Sequence, residues 1–211
     1  MKTEALIKAI AADTQADRPI LSGLLVRLLL ALTLAAGAVW VTIGFRSDLL
    51  SSLITPMAAM RYVLTVALGL IGLRLALLLA RPEGRGLARL WPLAIVPAVA
   101  LGLFVRTYLA TPEDGRQMAI VGKTMVACLI SIPLLSIFPV TAILVSLRRG
   151  ATTAPALAGL VAGVAGGGFA AMVYATHCIE DSPLFYVTWY GIAICIVAIA
   201  SSLIGAKVLR W

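Results

Sequence analysis

Six runs of apolar residues, separated by short polar stretches, fill most of the chain. A helix needs about 20 predominantly apolar residues to cross a bilayer, and each run is close to that length. They extend from about Leu28 to Phe45, Tyr62 to Ala80, Leu90 to Leu109, Ala127 to Leu147, Ala154 to Thr176 and Pro183 to Ala206. The pattern predicts an all-α polytopic membrane protein, with a bundle of six transmembrane helices over residues 27–211 and a polar tail over 1–26. The tail is too long and too mixed in charge for a cleavable signal, so the first span is expected to be retained. Little chain is left for a soluble catalytic domain, and a non-enzymatic role is expected.

Composition agrees: 62% of the 211 residues are hydrophobic, 12% are charged and the mean hydropathy is +1.05, whereas a soluble domain is about a quarter charged. A net charge of +8 would suggest nucleic acid on a soluble domain. Laid over six spans, it describes topology instead. The tail, the loop Arg81, Arg85, Arg89, the loop Arg148, Arg149 and the C-terminal Lys207, Arg210 put eleven basic and four acidic residues on one side. The opposite side holds five of each, and Arg74 lies within the second span, near enough to its end to snorkel. Lys and Arg collect on the cytoplasmic side, so both termini are expected there, with no direct contact to nucleic acid. Trp40, Tyr62, Tyr108, Tyr174, Tyr186, Trp189 and Tyr190 fall toward the outer ends of their spans, as interfacial aromatics do.

This topology puts Cys128 and Cys178 at the outer face, where in a bacterium a disulfide persists. There are three cysteines and no C-x-x-C spacing, which removes zinc-finger, thioredoxin-like and c-haem readings. The segment His177-Cys178-Ile179-Glu180-Asp181-Ser182-Pro183 gathers imidazole, thiol and two carboxylates. With Cys128, His177 and Cys178 suit a soft metal ion. Two bland readings stand beside this one: the cysteines pack as small apolar residues, and Asp181 or Ser182 caps the sixth helix with Pro183 in its first turn. Cys195, mid-span, reads as packing. Gly159, Gly163 and Gly167 line one helix face that packs inside the bundle or pairs two protomers. Pro97, Pro133 and Pro139 predict bends in the third and fourth spans.

In the tail, Thr3 can cap a short helix with Leu6, Ile7 and Ile10 along one side and Asp13 beyond. So short a helix does not persist alone in water. It needs a surface to fold against, and sparse basic charge favours a protein partner over lipid.

These segments resemble a known family. The tail Thr3-x-x-Leu6-Ile7-x-x-Ile10-Ala11-x-Asp13, the loop Arg148-Arg149-Gly150-Ala151 and the Gly-rich fifth span carry part of the likeness. The stretch from Tyr174 through His177-Cys178-x-Glu180-Asp181-x-Pro183, then Trp189-Tyr190-Gly191 and Leu209-Arg210-Trp211, carries the rest. All are similar to the NrsF family, six-span inner-membrane anti-sigma factors of Gram-negative bacteria. The resemblance implies that the tail sequesters an extracytoplasmic-function sigma factor through Thr3, Leu6, Ile7, Ile10 and Asp13. It implies release when heavy metal or oxidant is sensed outside. Cys128 and Cys178 match the family's characteristic pair, and Cys195 is additional. No cofactor is implied, a soft metal entering only as signal. The competing readings are a periplasm-facing membrane thiol oxidoreductase, which the missing C-x-x-C opposes, and a metal exporter, which the absence of acids within the spans opposes.

Overall fold

The computed structural model of the chain describes residues 3, 4, 7, 8, 20–82 and 90–210. Its main helices are α1 (Ile20–Thr42), α2 (Leu49–Ile54), α3 (Pro56–Leu79), α4 (Pro92–Ala110), α5 (Glu113–Val121), α6 (Met125–Leu147), α7 (Pro155–Ala175) and α8 (Pro183–Val208). No strand occurs among the described residues. Six of these helices, α1, α3, α4, α6, α7 and α8, are long and apolar enough to cross a membrane. The short helices α2 and α5 were not expected. They lie in connections at one end of the bundle, which they share with the α7–α8 loop. In the tail, Thr3, Glu4, Ile7 and Lys8 are helical and exposed; Leu6, Ile10 and Asp13 lie outside the described residues.

Proline sets several helix starts. Pro56, Pro92, Pro155 and Pro183 occupy the first turns of α3, α4, α7 and α8, where a missing N–H costs nothing and the fixed φ suits the helix. Pro56 starts α3 six residues before Tyr62, so Arg61, expected to flank the span, falls inside the helix. Pro97, Pro133 and Pro139 lie within α4 and α6 without interrupting them. Arg74 is exposed on α3, as snorkelling requires.

The central helix is α7, with fifteen of its 21 residues buried. It packs chiefly on α8, α3 and α6, while α4 lies at the edge against α8 and α3, with Val96 as its one buried residue. Small residues make this centre possible, because lipid supplies little drive for association and helices gain by close approach. A Cβ on Gly163 would lie 2.7 Å from Ala198 Cα, and one on Gly159 2.5 Å from the Ser201 carbonyl oxygen. Gly167 faces Ile194. The glycine stripe is thus filled by α8 of the same chain. That is the packing alternative, and it corrects the homodimer alternative, since pairing protomers through Gly159, Gly163 and Gly167 would require displacing α8.

Candidate functional site

The α7–α8 connection, residues 176–182, is pinned by two arginines from elsewhere in the chain. Arg46, between α1 and α2, donates from Nη1 to the Cys178 carbonyl at 3.1 Å, and its backbone N–H donates to Thr176 O at 3.0 Å. Its guanidinium also binds Asp181 at 2.8 and 3.0 Å and Asp48 at 2.7 and 2.8 Å. Arg61, on α3, is 0% exposed. It donates to the carbonyls of Glu180 at 2.8 Å and Ala175 at 3.3 Å, and its Nη2 lies 3.2 Å from Asp181 Oδ1. These contacts satisfy loop carbonyls that would otherwise be left without donors at the end of a buried helix. The Glu180 carboxylate accepts the Lys123 N–H at 2.8 Å, tying the loop to the start of α6.

Two carboxylates therefore balance two buried guanidiniums. Asp48 and Asp181 hold Arg46 firmly charged, and Arg46 in turn keeps the exposed Asp48 carboxyl down to about 2. Asp181 is an ion-pair partner, which corrects the capping expectation. Ser182 does occupy the position before Pro183, but no side-chain hydrogen bond caps α8. The opening of α8 is formed by proline geometry and backbone bonds from Phe185 and Tyr186 N–H to Ser182 O.

Beneath this lid lie Cys128, in the first turn of α6, and Cys178. Both are free thiols, exposed by 0% and 1%. Cys128 Sγ donates to Tyr174 Oη at 3.6 Å, and Thr124 Oγ1 is 3.9 Å from Cys178 Sγ. Tyr174 packs edge-on against Tyr190, ring centres 6.0 Å apart. The Cys178 thiol is pulled down to about 6, first by hydrogen bonding from Cys128, then by the Glu180 backbone N–H and the Arg61 charge, against the opposing effect of burial. The pair's negative charge is thus placed on Cys178. Such a thiolate is the nucleophilic form. Cys195 is exposed on α8, which corrects the expectation that it packs within the bundle.

The structure brings Cys128 and Cys178 together but not His177. Its Nδ1 is 2.8 Å from the Gly44 carbonyl oxygen; a carbonyl only accepts, so Nδ1 carries the proton. Among the described residues no group of three or more His, Cys, Asp and Glu side chains is placed to hold one metal ion. The expected Cys128, His177, Cys178 set is thus not assembled, because the imidazole is engaged by the α1–α2 connection.

A family model described as negative regulator of sigma F, NrsF, matches residues 10–211. The chain belongs to the NrsF family. A probable anti-sigma-F factor NrsF of Azospira oryzae is 32% identical over the whole of both chains. The anti-sigma-F factor NrsF of Caulobacter vibrioides is also 32% identical over the whole of both. No solved structure gives a significant match.

In this NrsF-family chain the two arginines are not marked out by the sequence pattern, in which Arg46 and Arg61 are two of the five basic residues on the outer side, each bounding an apolar run. One signal was available for Arg61: Thr55-Pro56 is a helix start, which places Arg61 in the second turn rather than before the helix. The thiols yield a direct prediction. Thiolate ultraviolet absorbance should develop with a midpoint near pH 6, and this component should vanish in Cys178→Ser. A midpoint at the ordinary thiol value of about 8.5 would contradict the described environment.

Proposed function

We propose that this NrsF-family chain is an anti-sigma factor of a bacterial inner membrane. Its cytoplasmic tail holds an extracytoplasmic-function sigma factor through Thr3, Leu6, Ile7, Ile10 and Asp13. Oxidation of Cys128 and Cys178, or their capture by a thiophilic metal on the periplasmic side, releases the sigma factor. The observation that carries this reading is the neighbouring pair of buried thiols under a loop held by Arg46 and Arg61. The relatives' names supply the partner class, and the bias of Lys and Arg toward the tail's side supplies the orientation.

Magnitudes favour the thiols as the switch. Moving an equilibrium from 1:99 to 99:1 takes about 5.5 kcal/mol of differential stabilisation. A disulfide contributes about 2–4 kcal/mol, an exposed ion pair about 0–1. The remainder must come from repacking loop 176–182 as the sulfurs join. Exposures of 0% and 1% disfavour an oxidoreductase serving protein clients, which needs an accessible thiol.

The test is capture of the sigma factor by detergent-solubilised protein with residues 1–20 present or deleted, with and without oxidant or metal. Recovery is expected only with the tail, and is expected to survive stress in the Cys128→Ser, Cys178→Ser variant. Recovery without the tail, or normal stress release from the double variant, would overturn the reading.

A further inference from the structure

The end of the bundle opposite the thiols gathers guanidinium groups around one point. Arg27, half-buried on α1, donates from Nη1 to Ser146 Oγ at 3.1 Å. Ser146 is 0% exposed and donates in turn to the Ala142 carbonyl at 2.8 Å, so Arg27 is held in place against α6. Arg149, exposed just beyond the end of α6, supplies a second guanidinium. A Cβ on Gly23 would lie 3.9 Å from Nη1 of each arginine. Two nitrogens that near one point are at most about 8 Å apart, which is the span of a single phosphate accepting from both at about 2.8 Å. Among the described residues none of Arg27, Arg148 and Arg149 is in an ion pair. The C-terminal dipole of α6 offsets only about half an elementary charge, against three from these arginines.

This charge stands at the mouth of an apolar groove. Between α1 and α6, Arg27 occupies one end, and Leu30, Leu34, Ile137, Phe138 and Val145 line the rest of a volume of about 460 Å³. From Val145 to Ile137 the groove runs roughly 12 Å along α6, most of the ~15 Å hydrocarbon depth of one leaflet. Leu30, Leu34 and Ile137 are exposed, so the groove opens to the outside of the bundle, where lipid lies. Basic residues at the ends of membrane helices attract anionic headgroups. Here two of them are spaced for one phosphate, directly above a channel for a chain.

We propose that the α1–α6 groove binds an anionic phospholipid, its phosphate bridging Arg27 and Arg149 and one acyl chain lying along Leu34 and Ile137. A zwitterionic lipid carries its own cation beside the phosphate and leaves the charge of the arginines unanswered. Free phosphate makes no use of the groove. Once bound, the lipid ties the start of α1, which follows the tail, to the end of α6, whose first turn carries Cys128. The site requires the six spans to lie in a bilayer and is independent of the cysteine switch.

Full-length protein, delipidated in dodecyl maltoside, is titrated with dioleoyl phosphatidylglycerol and with dioleoyl phosphatidylcholine, and retained lipid is counted by native mass spectrometry. One phosphatidylglycerol should be held at least tenfold more tightly than phosphatidylcholine. Arg149→Gln changes an exposed side chain and should reduce that preference about tenfold, as loss of a charge-assisted hydrogen bond does. Arg27→Gln, which can still donate to Ser146, should do the same. Arg106→Gln removes an equal charge from the exposed face of α4 and should leave the preference unchanged. Thr141→Trp, at an exposed position lining the groove, fills the chain's path and should weaken phosphatidylglycerol without altering the arginines. Equal retention of the two lipids, an equal loss in Arg106→Gln, no effect of Thr141→Trp, or displacement of the lipid by millimolar glycerol phosphate would each overturn the proposal.

Discussion

Asp181→Ala is expected to destabilise the folded protein by about 2–3 kcal/mol, and to do so far more than Asp48→Ala. Removing one partner of a buried ion pair costs about 3–5 kcal/mol, because the other charge is left desolvated. Arg61 is 0% exposed and Arg46 nearly so, but Asp181 itself is one-third exposed, with a side-chain exposure of 34%. Arg46 also keeps Asp48, and Arg61 keeps two carbonyls, which places the effect below the upper end of that range. Asp48 is more exposed than Asp181, and its loss should cost little, as for other surface pairs. Thermal unfolding in detergent compares the two variants directly. A second readout follows from electrostatics. The positive charge of Arg61 lowers the Cys178 thiol, and without Asp181 that charge is less compensated. The Cys178 titration midpoint should therefore move further down in Asp181→Ala. Equal stability loss in both variants, or an upward shift of the midpoint, would mean that Asp181 does not organise the lid.

Gly163→Val should cost about 3 kcal/mol, at the upper end for overpacking a well-filled interior. The new Cβ would meet Ala198 Cα and Ser201 Cβ at 2.7 Å and Val197 O at 2.9 Å. Two of these three atoms are backbone, so rotating a side chain does not relieve the clash, and α7 and α8 must move apart. Both helices lead into loop 176–182, so the separation should also expose Cys178 to a water-soluble maleimide. Gly37 and Gly102 provide the control: a Cβ on either meets nothing within 4 Å. Alanine at those sites should be neutral or stabilising by about 0.5–1 kcal/mol, the usual helix preference over glycine. A loss at Gly163 no larger than the change at Gly37 would show that the α7–α8 contact does not require glycine there.

The legible parts of the protein were those whose physics is local. Whether a run of residues crosses a membrane depends on its own length and polarity, so all six spans could be read from the chain, with only their ends misplaced. The Thr55-Pro56 start moved Arg61 inside α3, and Gly122, at a φ of +59°, separated the short α5 from α6. Glycine spacing on α7 was also a local pattern, but it left open whether α8 or a second copy covered that face.

The candidate site was legible only in part. Position along the spans put Cys128 and Cys178 at the same end of the bundle, 50 residues apart in sequence. It did not separate His177 from them, since the six residues after His177 carry no sign that Gly44 would take the imidazole. Nor did it join Arg46 and Arg61 to Asp181, partners 135 and 120 residues away. Charge sign and count predict which face a residue occupies, whereas the choice of partner depends on which helices α7 brings side by side. Hydrophobicity, an additive property of each segment, was set by the sequence alone. The balanced arginine lid and the closed thiol pair arise from distances between segments, and only the tertiary structure decides those.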